Sequence, residues 1–220
     1  MRWQPLLLSF EVAALATSIA AVLGLGLGAL LASRRFPGRD LLDVLVTSPL
    51  VLPPTVLGYY VLVAVGRRSP LGQAWEGATG APLVFTFAGA VLAASLGAIP
   101  FVAKSSRAAL EAVDPSLVDA AALLGAGPAR RFFAVRLPLA LRGVAAGLML
   151  GFARSLGDFG VTLMVAGDIP GQTQTASLAI YDAIASGQDG AAAGMIAALS
   201  AAALGALYAV NKLVGRRHVW

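Results

Sequence analysis

Apolar stretches, uncharged except for Arg154 and Asp158 in the fourth, divide this chain into five blocks separated by polar segments. Each block is 21 to 24 residues long, enough for a helix rising 1.5 Å per residue to cross a hydrocarbon layer about 30 Å thick. The pattern predicts an all-α integral membrane protein with five transmembrane helices in one domain, residues 1–220. The expected helices cover about 6–32, 44–66, 81–103, 143–166 and 190–211, the uncharged run of the first beginning at residue 12.

Glycines spaced four residues apart predict how two of these helices pack. Gly143, Gly147 and Gly151 recur along one face of the fourth helix, and Gly24 and Gly28 do so in the first. A stripe of glycine lets the backbone of a second helix approach closely. We therefore expect both faces to be buried against other helices.

Composition agrees with a membrane setting and excludes several kinds of chemistry. The chain is 58% hydrophobic and 12% charged, whereas soluble domains carry about 25% charged residues. It has no cysteine, and its single histidine, His218, lies at the C-terminal tail. No glycine-rich phosphate loop is present. We therefore expect no catalytic residue, no resident cofactor, no metal site and no ATP hydrolysis in this chain.

The distribution of cations predicts the orientation in the membrane. Twelve lysines and arginines fall on one side of the predicted spans, and three, Arg2, Arg67 and Arg68, fall on the other. The side richer in cations is the cytoplasmic one by the positive-inside rule. This places the N-terminus outside, the C-terminus inside, and residues 104–142 in the cytoplasm.

The cytoplasmic segment 104–142 carries its own helix signals. Asp114 precedes a proline, a combination that caps and begins a helix. A glycine turn at Gly125 ends that helix, and Pro128 begins a second short one. We expect the Leu-Pro pair at 137–138 to end the second helix.

Part of this segment resembles the EAA motif of ABC importer permeases. That motif is Glu-Ala-Ala, three residues, glycine and, about a dozen residues later, Leu-Pro. The chain has Asp119-Ala-Ala-Ala-Leu-Leu-Gly125 followed by Leu-Pro, with aspartate in place of glutamate. The resemblance implies a coupling helix that docks in a groove of the ATPase subunit, the alternative being an ordinary amphipathic helix pair. The implied coupling residues are Asp119, Ala120, Ala121, Gly125, Leu137 and Pro138.

Further runs resemble the molybdate branch of these permeases. They begin at Leu50, Arg67, Ala153 and Ile169. The Leu-Pro-Pro run at 52–54 favours molybdate, whereas the Ser-Leu-Gly-acid-Phe-Gly element is shared with sulfate permeases. The resemblance implies a type I ABC importer permease of a prokaryotic inner membrane that conducts molybdate. Tungstate or sulfate is the alternative substrate, and a stand-alone channel or scaffold is the alternative class.

The same resemblance implies partners. Two copies of the chain form the pore, two ATPase subunits carrying ATP and Mg²⁺ bind the cytoplasmic face, and a binding protein delivers the oxyanion outside. The chain itself contacts lipid and no nucleic acid.

Two features within the predicted spans are candidates for the translocation pathway or gate. Adjacent prolines near the middle of the second span should kink or open that helix, either to line a pathway or to make a packing kink. An arginine and an aspartate four residues apart should pair on one face of the fourth span, either beside an anion route or as a structural ion pair. The candidate residues are Pro53, Pro54, Arg154, Ser155, Asp158 and Thr162.

Overall fold

The computed structural model describes residues 3–33 and 36–215, and within these ranges the chain forms helices and no strand. Six residues used in the predictions above lie outside the described residues: Arg2, His218 and, from the twelve cations counted on the cytoplasmic side, Arg34, Arg35, Arg216 and Arg217. The helices are α1 (Trp3–Ala32), α2 (Arg39–Val51), α3 (Pro54–Val65), α4 (Pro70–Thr79), α5 (Phe87–Glu111), α6 (Pro115–Leu123), α7 (Pro128–Arg131), α8 (Leu137–Leu156), α9 (Gly160–Ala166), α10 (Ala176–Ala185) and α11 (Asp189–Gly215). A π turn (Phe132–Arg136) joins α7 to α8.

Among the described residues, four helical stretches are long and apolar enough to cross a membrane. They are α1, α5, the continuous run Pro128–Leu156 and the part Ala192–Lys212 of α11. The pair α2 and α3, bent by 118° at their junction, makes a fifth if the two are counted as one span. The prediction of an all-α, multi-pass membrane protein is confirmed.

The core of the bundle is the close packing of α1 on α5. A Cβ atom placed on Gly24 would lie 2.7 Å from Cβ of Val102, and one on Gly28 would lie 2.6 Å from the carbonyl oxygen of Ala103. Both distances are shorter than real side chains tolerate, so the prediction that this glycine face is buried is confirmed. Because higher numbers on α1 face higher numbers on α5, the two helices run parallel.

The second glycine stripe packs α8 against a neighbouring face of α5. Cβ atoms on Gly143 and Gly147 would lie 2.5 Å from Cβ of Ala109 and 2.7 Å from Cβ of Ser105. Here higher numbers face lower ones, so α8 runs antiparallel to α5. Helix α5 is therefore held between α1 and α8, and it provides a fixed reference for the positions of the other elements.

The predicted second span, 44–66, is two helices rather than one. Leu52 and Pro53 are both extended, with ψ angles of 139° and 135°. Each of them precedes a proline, and the ring of a proline disfavours the helical conformation of the residue before it. Two consecutive residues are thus excluded from the helix, and the chain turns sharply where a single proline would only kink it.

The predicted fourth span, 143–166, is also interrupted. Helix α8 ends at Leu156, and the short helix α9 begins at Gly160. The third span is displaced: it begins at Phe87, after Thr86, whose hydroxyl accepts a hydrogen bond from the amide of Gly89. It continues to Glu111, and the charged side chains of its last turns form ion pairs.

The prediction that residues 137–138 end a helix is wrong. The chain stays helical from Pro128 to Leu156 because the π turn inserts one extra residue before Pro138. The amide of Leu137 donates to the carbonyl of Phe132, five residues earlier. This wider turn gives the proline ring room and suits a residue that has no amide to donate.

Candidate functional site

The two interruptions in the predicted spans lie directly against each other. A Cβ atom on Gly160, the first residue of α9, would lie 2.7 Å from Cβ of Pro54, the first residue of α3. One turn further along, a Cβ atom on Gly58 would lie 2.7 Å from Cβ of Met164. Helices α3 and α9 therefore begin side by side and run parallel. The structure thus brings together the two pathway candidates that the sequence places about a hundred residues apart.

A buried carboxylate organises the second interruption. Asp158 Oδ1 accepts from Arg154 Nη1 at 3.0 Å, and Oδ2 accepts from the backbone amide and the hydroxyl of Thr162 at 3.0 and 2.6 Å. The carboxylate therefore begins helix α9 as well as pairing with the arginine. Because Asp158 lies beyond the end of α8, the pair joins that helix to the break and does not lie along one continuous helix.

The exposures of the two charged side chains differ strongly. The side chain of Asp158 is 2% exposed, whereas that of Arg154 is 30% exposed. Asp158 is thus fully engaged in structure, while Nε and Nη2 of Arg154, which lie beside Gly97 of α5, have no hydrogen-bond partner among the described residues.

Arg154 lies well inside the membrane-spanning region. A Cβ atom on Gly97 of α5 would lie 3.6 Å from the guanidinium carbon of Arg154. Gly97 is ten residues from the first residue of α5. At 1.5 Å per residue this places the charge about 15 Å below that end of the bundle. A half-exposed cation at such a depth is costly unless it faces protein or water.

The remaining pathway candidates occupy different environments. Ser155 is buried and donates to the carbonyl of Ala94 on α5 at 3.3 Å, so its hydroxyl is used in helix packing. Pro53 and Pro54 are exposed at the bend between α2 and α3. The bend therefore presents a surface that this single chain leaves uncovered.

The predicted coupling segment lies at the other end of α8. Asp114 Oδ1 accepts from the amide of Ser116 at 2.9 Å, which confirms the predicted helix cap and holds the pKa of that carboxyl below its ordinary value. Gly125 has a φ of +80° and ends the turn after α6, where its amide donates to the carbonyl of Ala122. A side chain rarely adopts this left-handed conformation, so glycine is required there.

The coupling residues divide into an exposed group and a packed one. Asp119, Ala120 and Gly125 are exposed, and Ala121 is half-buried. Next to them Leu123 and Leu124 are 90% and 88% exposed. Leu137, by contrast, packs against the bundle near Leu110, so the Leu-Pro part of the motif lies within a membrane helix rather than on the surface of α6.

Sequence reasoning did not single out Gly58 and Gly160 as site residues. Both stand in the runs that carry the resemblance to permeases, but only the fold shows that each fits against the other interrupted helix. Gly58 lies four residues after the double proline and Gly160 two residues after Asp158, and a glycine this close to a break signal is the local feature that could have marked them.

The fold and the paired interruptions define a multi-pass membrane permease. The family described as binding-protein-dependent transport system inner membrane components matches residues 24–217, and this chain belongs to that family. Such a permease works in the inner membrane with an ATPase subunit and a binding protein, and the ATPase activity belongs to the partner.

Among curated proteins, the chain is similar to permeases of molybdenum and sulfate transport systems. The chain is 44% identical over 192 residues to the molybdenum transport system permease protein ModB of Escherichia coli K12, covering 86% of this chain and 84% of that one. It is 46% identical over 155 residues to ModB of Haemophilus influenzae, covering 70% and 68%. It is 32% identical over 212 residues to the sulfate permease CysT of E. coli K12, covering 94% and 76%.

A solved structure shows the fold. An inward-facing structure of the MetNI methionine ABC transporter superposes with a TM-score of 0.72 at 19% identity, covering 95% of this chain and 92% of that one. The fold is that of a type I ABC importer permease.

We predict that a double-mutant cycle will separate the two roles of the ion pair. Asp158→Asn alone and Arg154→Met alone should each reduce assembly strongly, because removing one partner of a buried pair strands the other charge at a cost of about 3–5 kcal/mol. Arg154→Met combined with Asp158→Asn should restore assembly, because the asparagine oxygen still accepts from Thr162. Detergent-solubilised yield and thermal unfolding measure this step.

Uptake of oxyanions by the same double variant then tests Arg154. If Arg154 faces the anion route, uptake should stay impaired although assembly is recovered. Full uptake with unchanged oxyanion preference would remove Arg154 from the pathway and leave a purely structural pair.

Proposed function

We propose that this chain is the permease subunit of an ATP-driven importer that conducts molybdate across the inner membrane. The observation that carries the proposal is its identity to molybdenum transport permeases, 44% over 86% of the chain for the E. coli protein, against 32% for the sulfate permease. Tungstate and sulfate remain the alternative substrates. A stand-alone channel or scaffold has no need of the exposed leucines of the coupling segment, so the coupling segment favours an ATP-driven importer.

The complete importer in this proposal contains two copies of the chain, two ATPase subunits that bind ATP and Mg²⁺, and one oxyanion-binding protein. The N-terminus faces outside and the coupling segment faces the cytoplasm. Large exposed apolar side chains outside the spans, Leu123 and Leu124 above all, support docking of a protein partner at α6. The uncovered bend at Pro53 and Pro54 supports a second copy completing the pore.

The paired interruptions form the anion pathway in this proposal. Helix α3 begins at Pro54 with no side-chain cap, so its positive dipole end lies at the bend. Arg154 adds a cation at the neighbouring interruption. Interrupted helices whose N-termini face an anionic substrate are a recurrent arrangement in transporters. A doubly charged oxyanion that enters this region therefore meets the positive N-terminal end of α3 and the guanidinium of Arg154.

Continuity of the helix Pro128–Leu156 supplies a route from ATP binding to this pathway. The helix begins in the coupling segment and ends two residues after Arg154. A movement imposed on α6 and α7 by the closing ATPase is therefore carried by one continuous helix to the buried ion pair. Its glycine face lies on α5, where small residues permit sliding.

The proposal is tested with the complete complex reconstituted in proteoliposomes. ATP-dependent uptake and ATPase stimulation are measured with molybdate, tungstate and sulfate, each presented by the binding protein. We expect molybdate to give the largest uptake per ATP hydrolysed. Uptake that prefers sulfate would overturn the substrate assignment, and oxyanion flux that needs no ATP would overturn the importer assignment.

A substitution at Gly125 tests the coupling segment. Gly125→Leu should lower ATP-dependent uptake by about tenfold or more, because a leucine is strained at the φ of +80° that this residue adopts. Membrane insertion should stay intact, because a Cβ atom added there would meet no atom within 4 Å. The matched control is Gly127→Leu, which also has open space around it but an ordinary φ of −65°. Equal uptake by the two variants would contradict the coupling assignment of residues 119–125.

A further inference from the structure

A network of ion pairs joins α2 to α5 at the end of the bundle that carries the coupling segment. Asp43 on α2 accepts from Lys104 Nζ at 2.6 Å and from Arg107 Nη1 at 2.8 Å, so both of its carboxylate oxygens are engaged. Glu111 accepts from Arg107 Nε at 2.9 Å and from Arg39 Nη2 at 3.3 Å. We call these five residues the α2 latch.

Helix α2 has little other attachment to the bundle. Of its described residues, only Val46 is buried. Four large apolar side chains of the helix are exposed: Leu41, Val44, Leu45 and Val51. The extended residues Leu52 and Pro53 separate it from α3. In contrast, α1 and α5 are locked by contacts at Gly24 and Gly28 that leave no room for a side chain. The latch is therefore the principal attachment of α2.

The coupling segment contacts the same region through Arg136 of the π turn. Its Nε donates to the carbonyl of Leu110 on α5 at 3.3 Å, and its Nη2 donates to the carbonyl of Ala32 on α1 at 3.4 Å. Arg39 of the latch donates to the adjacent carbonyl of Leu31 at 3.0 and 2.7 Å. Two arginines, one from α2 and one from the coupling segment, thus hold the last carbonyls of α1.

The chemistry of the latch suits a contact that opens and closes. Its side chains are 23% to 42% exposed, so water can solvate the charges when the pairs separate. Partly exposed ion pairs contribute little individually, and their rupture costs far less than opening a glycine-packed interface. The network can therefore hold α2 in one conformation without fixing it permanently.

We propose that Asp43 is a positioning residue for transport: it latches α2 to α5, and movement of the coupling segment releases it. Release lets α2 pivot at Leu52 and Pro53 relative to α3, which changes access to the paired interruptions. The proposal rests on the proposed function, since it assigns a step to ATP-driven conduction. Asp43 contacts no substrate in this scheme and acts only through the position of α2.

The test measures the position of α2 and the efficiency of coupling in the same complex. The chain has no cysteine, so spin labels at Leu41→Cys on α2 and Ala108→Cys on α5, both exposed sites, report the distance between these helices. The complex is assembled from one labelled and one unlabelled copy, so that a single distance is measured. Uptake per ATP hydrolysed is measured in proteoliposomes. The variants are Asp43→Asn and the weaker Lys104→Gln, with Asp43→Glu as the conservative rescue. Asp40→Asn is the matched control, because Asp40 is exposed on α2 and forms no ion pair with the described residues.

In the parent protein we expect a narrow nucleotide-free distance distribution that shifts when a non-hydrolysable ATP analogue binds. Asp43→Asn should broaden the nucleotide-free distribution and lower uptake per ATP by about threefold or more. Lys104→Gln should act in the same direction and less strongly, Asp43→Glu should recover part of the effect, and Asp40→Asn should match the parent.

Narrow distributions and parent efficiency in both Asp43→Asn and Lys104→Gln would overturn the proposal. If Asp43→Asn does not assemble, Lys104→Gln decides alone by the same two readouts. A parent complex that transports no oxyanion contradicts the proposed function, while the spin-label distance still reports whether Asp43 holds α2 in place.

Discussion

Backbone hydrogen bonding in hydrocarbon is the constraint on which this structure depends. A helix satisfies its own amides and carbonyls, and any interruption within the membrane must be covered by protein or water. Here two interruptions, at 52–53 and 157–159, lie against each other, and Asp158 supplies acceptors to the amide and hydroxyl of Thr162. The second break is therefore stabilised by its own aspartate, and the two breaks pack on each other where Gly160 meets Pro54.

Each of the two interrupted spans also connects the end of the bundle that carries the coupling segment to a break within the membrane. Helix α2 runs from the ion pairs at Asp43 to the first break, and the continuous helix from Pro128 runs from the coupling segment to the second. Between them stands α5, packed on α1 through Gly24 and Gly28. In the mechanism we propose, α1 and α5 form one rigid unit that carries two movable helices. The cytoplasmic ends of these two helices face the ATPase, and their other ends lie near Arg154 and Pro54 within the membrane.

The sequence predicts the parts of this fold that depend on local chemistry. Asp114 caps a helix and Gly24 and Gly28 mark a close contact, because capping and small-residue packing act within a few residues. The helix through Pro138 was missed because a π turn depends on tertiary packing of residues such as Leu137. The 118° turn at Pro53 and its contact with Gly160 were missed for the same reason: a proline pair predicts a break but not its direction or its neighbour.

Access to the bend from the two sides of the membrane tests the central claim, that the paired interruptions form the anion pathway and that ATP changes the side from which they are reached. Thr55→Cys introduces a single thiol at an exposed position next to Pro54 in a chain without cysteine. The rate of modification by a membrane-impermeant thiol reagent is measured from each side of proteoliposomes, with and without a non-hydrolysable ATP analogue. We expect modification from one side without nucleotide and from the other with it. Modification from neither side, or a rate that nucleotide does not change, would contradict the claim.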